Sequence, residues 1–171
     1  MPPGVYHPQR DDDIPEEARG PAFAKWVSSY YKHGNVSSRD FSQLKQRERD
    51  ISKQPTTDTM PIGEITDFPP GAKCETFIIK SQKFLSIFIN QTTKALFDLQ
   101  IREKWGGHPA WIVYGEASIW NIQYATWNLE EKAEASEINF KSIAGANHFV
   151  RRFLSSDSFK PLGRNVFYDT D

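Results

Sequence analysis

The stretch AWIVYGEASIWNIQYATWNLEEKAEASEINFKSIAGANHF, residues 110–149, decides the fold predicted for this chain of 171 residues. It opens with the apolar run 110–114, which is typical of a buried parallel strand. A helix capped by Ser118 or Asn121 follows, and then a second strand-like run at 138–143. Strand, helix and strand form a βαβ unit, whose crossover makes the two strands parallel. The sequence therefore predicts the α/β class.

Two loops follow the carboxyl ends of these strands, at residues 115–121 and 145–149. In open parallel sheets, ligands and catalytic groups lie beyond the carboxyl ends of the strands. His148 lies in the second loop, where a rigid sheet would hold an exposed imidazole that exchanges protons near neutral pH. Glu116 is the only acid in the first loop and would orient that ring. His148 and Glu116 are the candidate catalytic residues, although a loop histidine and a loop acid without catalytic roles fit the same pattern.

The chain divides into three predicted regions. Residues 1–20 are rich in proline and charge, which predicts a mobile N-terminal segment. Residues 21–104 predict a helical, cap-like region, and residues 105–171 contain the strand-helix-strand part. The first helix of the cap-like region is expected to start at Pro21 and stop at Gly34. Proline suits the first helical position, and glycine suits the residue just past the end.

Three further elements are predicted inside the cap-like region. Ser37 or Ser38 would cap a short second helix, and residues 50–71 lack periodicity and predict an irregular loop. The apolar run after Glu75 has enough β-branched residues for strands, but its apolar positions share one helical face. We expect a helix there, ended by the two glycines and the proline of residues 105–109.

Composition excludes several classes of function. A formal net charge of -1 gives no electrostatic case for binding nucleic acid or an anionic membrane. No stretch approaches the roughly 18 apolar residues that cross a bilayer, and the N-terminus lacks the features of a secretory signal. The single cysteine, Cys74, favours a reducing compartment, so a cytoplasmic location is expected. No metal site and no cofactor are expected, because paired cysteines, a His-Glu-x-x-His motif and a glycine-rich phosphate loop are all absent from the sequence.

A recognisable nucleophile is missing from the sequence. A serine nucleophile in an α/β sheet lies on a tight strand-to-helix turn, typically Gly-x-Ser-x-Gly, because bulky neighbours would clash there. That pattern does not occur in these residues, and Cys74, a remote alternative, lacks the turn. The other histidines, His7, His33 and His108, are interpreted as surface or capping groups.

Part of this sequence resembles the C-terminal part of α/β-hydrolase fold proteins, most of all a group common in fungi. The resemblance lies in segments 111–120 and 145–149 and in the Trp-x-Leu-Glu of residues 127–130. Residues 23–33 resemble the start of that group's helical cap, so the resemblance covers most of the chain. It implies that His148 is the base of a catalytic triad. It also implies hydrolysis of esters or related acyl bonds, with epoxide hydrolysis as a neighbouring reaction.

The resemblance leaves several candidates for the acid of the triad. In the family the acid usually lies three residues after the glycine that ends the preceding strand, and Ser118 occupies that position here. A serine cannot ionise to hold an imidazolium, so Glu116 could substitute. Some family members place the acid just before the cap, which would point to Asp12 or Asp13.

The family's first strands, oxyanion loop and nucleophile elbow normally precede the cap, whereas this chain begins at the cap. The resemblance therefore implies a truncated, partial α/β-hydrolase-like sheet with a helical cap, in which the N-terminal half of the fold is missing. Such a chain is expected to be inactive alone, to act on a small-molecule substrate only when completed, and to self-associate or bind a partner chain.

Two other functions stay open. The first is a non-catalytic binding module, in which the aromatic cap helix and Trp120 with Trp127 form an apolar groove, unless these aromatic side chains are ordinary core residues. The second is a small working hydrolase that uses a nucleophile of an unrecognised kind.

Overall fold

The computed structural model describes residues 4–61, 82–104, 106, 109–133 and 138–151. Several predicted features lie outside these residues: Cys74, His108, the loop beyond residue 61, the start of the helix predicted from Glu75, and the tail after Arg151.

The first helix, α1, spans Glu16–Ser28, so the predicted start at Pro21 and the predicted stop at Gly34 are both wrong. Glu16 and the acid after it lie in the first turn, where the partial positive charge of the helix N-terminus favours carboxylates. Pro21 lies inside the helix, where it removes one main-chain hydrogen bond. The hydroxyls of Ser28 and Ser29 donate hydrogen bonds to the carbonyl of Lys25. These side-chain bonds compete with the main-chain bonds of a further helical turn, so the helix ends early.

Part of the predicted N-terminal segment packs against α1. The ring of Tyr6 meets that of Trp26 edge-on at 6.2 Å between centroids. The His7 ring lies 5.1 Å from the same indole and stacks on Phe23 at 5.5 Å. Residues 5–10 therefore belong to the packed structure, while the division of the chain into three regions stays a prediction.

The predicted second helix is wrong, because two short 3-10 turns take its place. They span Val36–Ser38 and Phe41–Gln43, and the side chains of Asn35 and Asp40 cap them. Arg39 separates the turns with a left-handed main chain, φ 54°, which stops helical propagation. Another 3-10 turn, Thr56–Thr59, lies within the described part of the predicted loop.

The helix predicted after Glu75 is present in the described residues as two consecutive helices, α2 at Gln82–Phe97 and α3 at Leu99–Glu103. Asp98 separates them and caps α3, since its carboxylate accepts from the main-chain N–H groups of Gln100 and Ile101. No helix in the described part of the chain has both the length and the apolar character needed to cross a membrane.

The predicted βαβ unit is confirmed. It consists of β1 at Ala110–Gly115, α4 at Trp120–Ala133 and β2 at Ile138–Ile143. The strands are parallel and in register from the Ala110–Ile138 pair to the Gly115–Ile143 pair, and they form a two-stranded sheet within the described residues. The chain therefore has mixed α/β character.

The core joins α1, the irregular segment after it and the N-terminal half of α4. The Trp120 indole is 1% exposed and donates from Nε1 to the carbonyl of Tyr6 at 2.9 Å. The Trp26 indole donates to the carbonyl of Gln46 at the same distance. Side chains that form this core are Trp26, Tyr31, Leu44, Ile119, Trp120 and Trp127.

Candidate functional site

The two loops expected at the carboxyl edge of the sheet are in contact. Main-chain hydrogen bonds join them, from the Ala117 N–H to the carbonyl of Ala146 at 2.9 Å and from the Glu116 N–H to the carbonyl of Ile143 at 3.1 Å. Gly115 permits this approach, because a Cβ atom there would overlap the carbonyl oxygens of Ala146 and Asn147. The two loops therefore form one surface, with Glu116 on one side and His148 on the other.

Asn147 fixes the second loop to the rest of the molecule. Its side chain is buried, and Nδ2 donates to the carbonyl of Ser28 at 2.5 Å and to Oγ1 of Thr56 at 2.8 Å. Its Oδ1 accepts from the N–H of Phe149 at 3.0 Å, which closes a turn around His148. Because these contacts use both N–H groups of the buried amide, Asn147 anchors the loop.

His148 projects from this anchored turn and is exposed. Its ring contacts the ring of Phe149 edge-on, at 5.9 Å between centroids. Although one side of the imidazole faces solvent, the protein around it desolvates the ring enough to lower its pKa from the usual value. The ring is therefore neutral near pH 7, which is the form that accepts a proton.

Glu116 is exposed and its carboxylate is held by another residue. Oε1 accepts a hydrogen bond from the hydroxyl of Ser142 at 2.8 Å. Within the described residues, no hydrogen bond or ion pair joins Glu116 to His148. The assignment of these two residues as a catalytic pair stays a prediction.

The acid candidates Asp12 and Asp13, and Ser118 at the position where the family usually has its acid, all make other contacts. Ser118 is fully buried, its hydroxyl has no hydrogen-bond partner, and its carbonyl accepts from the His33 ring. The carboxylate of Asp12 is exposed and pairs with Arg19 at 3.3 Å. Asp13 belongs to the turn before α1, where its N–H donates to Asp11. No contact in the described structure brings any of the three to His148.

Lys53 lies beside the His148 turn, and sequence reasoning missed it. Its ammonium is 3.4 Å from the carbonyl of Gly145 and 4.8 Å from the centre of the Tyr30 ring. Lys53 and Gly145 are 92 residues apart, and no local pattern marks the lysine. It adds a positive charge to the edge of the sheet that carries the candidate base.

A concave feature, here called the charged cleft, lies between residues 4–12 and residues 42–48 and has a volume of about 450 Å³. The Arg47 guanidinium crosses it, 3.3 Å from the carboxylate of Asp11 and 4.1 Å above the centre of the Tyr6 ring. Charges of both signs line it: Arg10, Asp11, Asp12, Lys45, Arg47 and Glu48.

No group of three or more histidine, cysteine or acidic side chains among the described residues is arranged to hold a metal ion. In comparisons with known proteins, no family model, no curated protein and no solved structure matches this chain.

Proposed function

We propose that this chain is an α/β-hydrolase-like unit that contributes a base histidine, His148, to a site for hydrolysis of esters or related acyl bonds. One observation carries the proposal. His148 projects from the carboxyl edge of the parallel β1–α4–β2 unit, on a turn that the buried side chain of Asn147 ties to α1. Catalytic groups in parallel sheets occupy that edge, and a base must be both held and accessible.

The chemistry assigned to His148 is proton transfer. A neutral imidazole takes the proton of an attacking hydroxyl group or water and returns it to the leaving group. Glu116, on the adjoining loop, would stabilise the imidazolium after exchanging its bond to Ser142 for one to the ring. Lys53 would favour substrates that carry a negative charge near the acyl group.

The nucleophile is proposed to come from another chain, because no Gly-x-Ser-x-Gly turn occurs in the 171 residues. The unit alone should therefore be inactive and should need a different chain that supplies the nucleophile and the oxyanion hole. A reducing, cytoplasmic compartment is proposed from the single cysteine.

The first test measures whether the imidazole of His148 is accessible and neutral. Diethyl pyrocarbonate acylates neutral, accessible imidazole, and peptide mass spectrometry locates the product. At pH 7 we expect His148 to react faster than His7, which is buried, and faster than His33, whose two ring nitrogens are both hydrogen-bonded. Equal or slower reaction at His148 would remove the observation on which the proposal rests.

The second test measures catalysis on short-chain p-nitrophenyl esters with wild type and His148→Ala, and with Asn128→Ala as an exposed control. We expect no burst and no acyl-enzyme mass increment in any of the three, because the nucleophile is absent. A burst that His148→Ala abolishes would mean that the chain holds a complete site. A burst that survives in His148→Ala would show that His148 is not the base.

The binding-module alternative has less support. Its groove required Trp120 and Trp127 to be open to a ligand, and both indoles are buried in the core together with Trp26. These side chains stabilise the fold, so an aromatic groove would have to be formed by other residues.

A further inference from the structure

The imidazole of His33 bridges two parts of the chain that are far apart in sequence. Nε2 lies 2.7 Å from the carbonyl oxygen of Ser118, in the loop between β1 and α4. Nδ1 lies 3.0 Å from the main-chain nitrogen of Lys45. Neither ring nitrogen is left for a ligand, so His33 acts as a connector.

These two partners fix the protonation state of the ring. A main-chain N–H only donates, so Nδ1 must accept from Lys45, and a carbonyl only accepts, so Nε2 must donate to Ser118. The ring is therefore neutral, with its proton on Nε2. A charged imidazolium would carry a second proton on Nδ1, directly facing the Lys45 N–H.

The surroundings oppose that second proton. Burial lowers the pKa of His33 from its usual value, the Ser118 carbonyl acts in the opposite direction, and the positive charge of Lys45 lowers the pKa further. The Tyr31 ring stacks on the imidazole at 6.0 Å between centroids and stays uncharged at neutral pH. Among the described residues, no carboxylate bonds to the ring to stabilise its charged form.

The main chain held by His33 forms one wall of the charged cleft. Lys45, Gln46 and Arg47 all line that cleft. The same short segment places its Gln46 carbonyl on the Trp26 indole and its Gln46 side chain on the N–H of Tyr6, at 2.9 and 2.8 Å. Loss of the bond at Lys45 would loosen the segment next to both contacts.

We propose that His33 is a proton-sensitive latch that holds the 44–47 wall of the charged cleft in place. In the neutral state, Nδ1 accepts from Lys45 and the wall is closed. Protonation turns Nδ1 into a donor that faces another donor, so the bond to Lys45 breaks while the bond to Ser118 persists. Mild acidification therefore opens the cleft wall and leaves the βαβ unit folded. The latch is independent of the proposed hydrolase function.

The test is amide hydrogen exchange by NMR on the whole chain between pH 7.5 and 5.0, corrected for the intrinsic pH dependence of exchange. When the wall is open, His33 has an ordinary pKa, and when the wall is closed its pKa is lowered. The open form therefore binds a proton more readily, and opening becomes more frequent below about pH 6.5. We expect the protection factor of the Lys45 amide to fall by up to about tenfold per pH unit in that range. Amides of β1 and β2 should lose much less protection than the Lys45 amide.

Variants separate His33 from the other histidines. His33→Gln removes the titrating group and keeps an amide donor and acceptor, so the pH-dependent fall at Lys45 should vanish. The matched variant His148→Gln, on the exposed turn, should retain it. A fall of the same size in His33→Gln, or no fall in wild type, would overturn the proposal.

Ring nitrogen shifts in the wild type give a reading that does not depend on any variant folding. We expect the His33 ring at pH 7.5 to carry its proton on Nε2, and its protonation to coincide with the loss of protection at Lys45. A proton on Nδ1, or a ring that titrates without any change at Lys45, would contradict the latch.

Discussion

The side-chain amide of Asn147 donates to the main-chain carbonyl of Ser28, 119 residues earlier in the sequence. The bond ties the loop after β2 to the last residue of α1, and the same amide also reaches Thr56. Three separate parts of the chain therefore meet at one buried side chain. The position of the candidate base depends on this junction, because His148 is the next residue.

Asn147→Ala should destabilise the fold by about 2–4 kcal/mol, because it leaves the Ser28 carbonyl and the Phe149 N–H without their partners in a buried place. Urea unfolding followed by tryptophan fluorescence measures the change. Asn128→Ala is the control, since Asn128 is exposed and bonds only within its own helix, and it should cost less than about 0.5 kcal/mol. Equal costs for the two variants would mean that the junction does not stabilise the loop.

Gly115→Ala should disturb the contact between the two loops at the edge of the sheet. Its Cβ would overlap main-chain oxygens of Ala146 and Asn147, which cannot move without breaking the strand ends, so a loss of about 2–3 kcal/mol is expected. Gly34→Ala provides a matched comparison. Its Cβ would overlap the side-chain carbonyl of Gln43, which can rotate away at the cost of its hydrogen bond from the Asn35 N–H, so a smaller loss is expected in thermal unfolding. If Gly34→Ala proved the more costly of the two, the conclusion that Gly115 is needed for the contact between the loops would be wrong.

Trp120→Ala should be among the most damaging single changes, with a loss of about 3–5 kcal/mol of unfolding free energy. The indole is 1% exposed, packs edge-on against Phe41 at 5.6 Å and donates to Tyr6. Trp111→Ala removes an indole that is 52% exposed and should cost about 1 kcal/mol or less. Denaturant midpoints of the two variants test this ranking, and a reversed order would place the core elsewhere.

Stability should fall on acidification, partly because of His7. Burial, with a contribution from the charge of Arg10, lowers the pKa of His7 to about 4. The unfolded chain therefore binds a proton below about pH 6.5 while the folded chain does not until about pH 4, so stability is complete above this window and is lost through it. Allowing for solvent screening, the loss attributable to His7 is about 1–2 kcal/mol.

The variant His7→Phe checks this source of pH dependence. It preserves a flat ring against Phe23 and Trp26 but cannot titrate. Between pH 7 and pH 4.5 its unfolding free energy should change less than that of wild type, with the remaining slope due to groups such as His33. A slope identical to that of wild type would show that His7 does not contribute.

Elements with strong local signals were predicted well from the sequence. β1 is an apolar run between Pro109 and Gly115, α4 follows that glycine, and β2 falls where it was expected, at Ile138–Ile143. The bounds of α1 were wrong because proline suits a helix start so well that Pro21 masked the start at Glu16. The short second helix failed because Asn35 and Asp40, which form local caps, favour 3-10 turns over a longer helix.

The contact between the two loops was predicted from the sequence, but the contacts of the candidate site residues were not. The carboxyl-end rule placed the two loops together, since it depends only on the parallel strands. It could not place the carboxylate of Glu116 on Ser142, because two side chains on adjoining strand ends have several partners within reach. His33 was interpreted as a surface or capping group, and its bridge to Ser118 spans 85 residues. Contacts of that range leave no periodic trace in a sequence.

The bond between Asn147 and Ser28 can form only after the ribosome has synthesised both residues. A ribosome that adds roughly 5–20 residues per second needs on the order of ten seconds to pass from the first of these residues to the second. During that time the nascent helix α1 lacks its bond from the Asn147 amide, and its Trp26 side chain lacks the rest of the core around Trp120. Its aromatic face stays accessible to chaperones and proteases, so the yield of folded protein in a cell should depend on how that interval is protected.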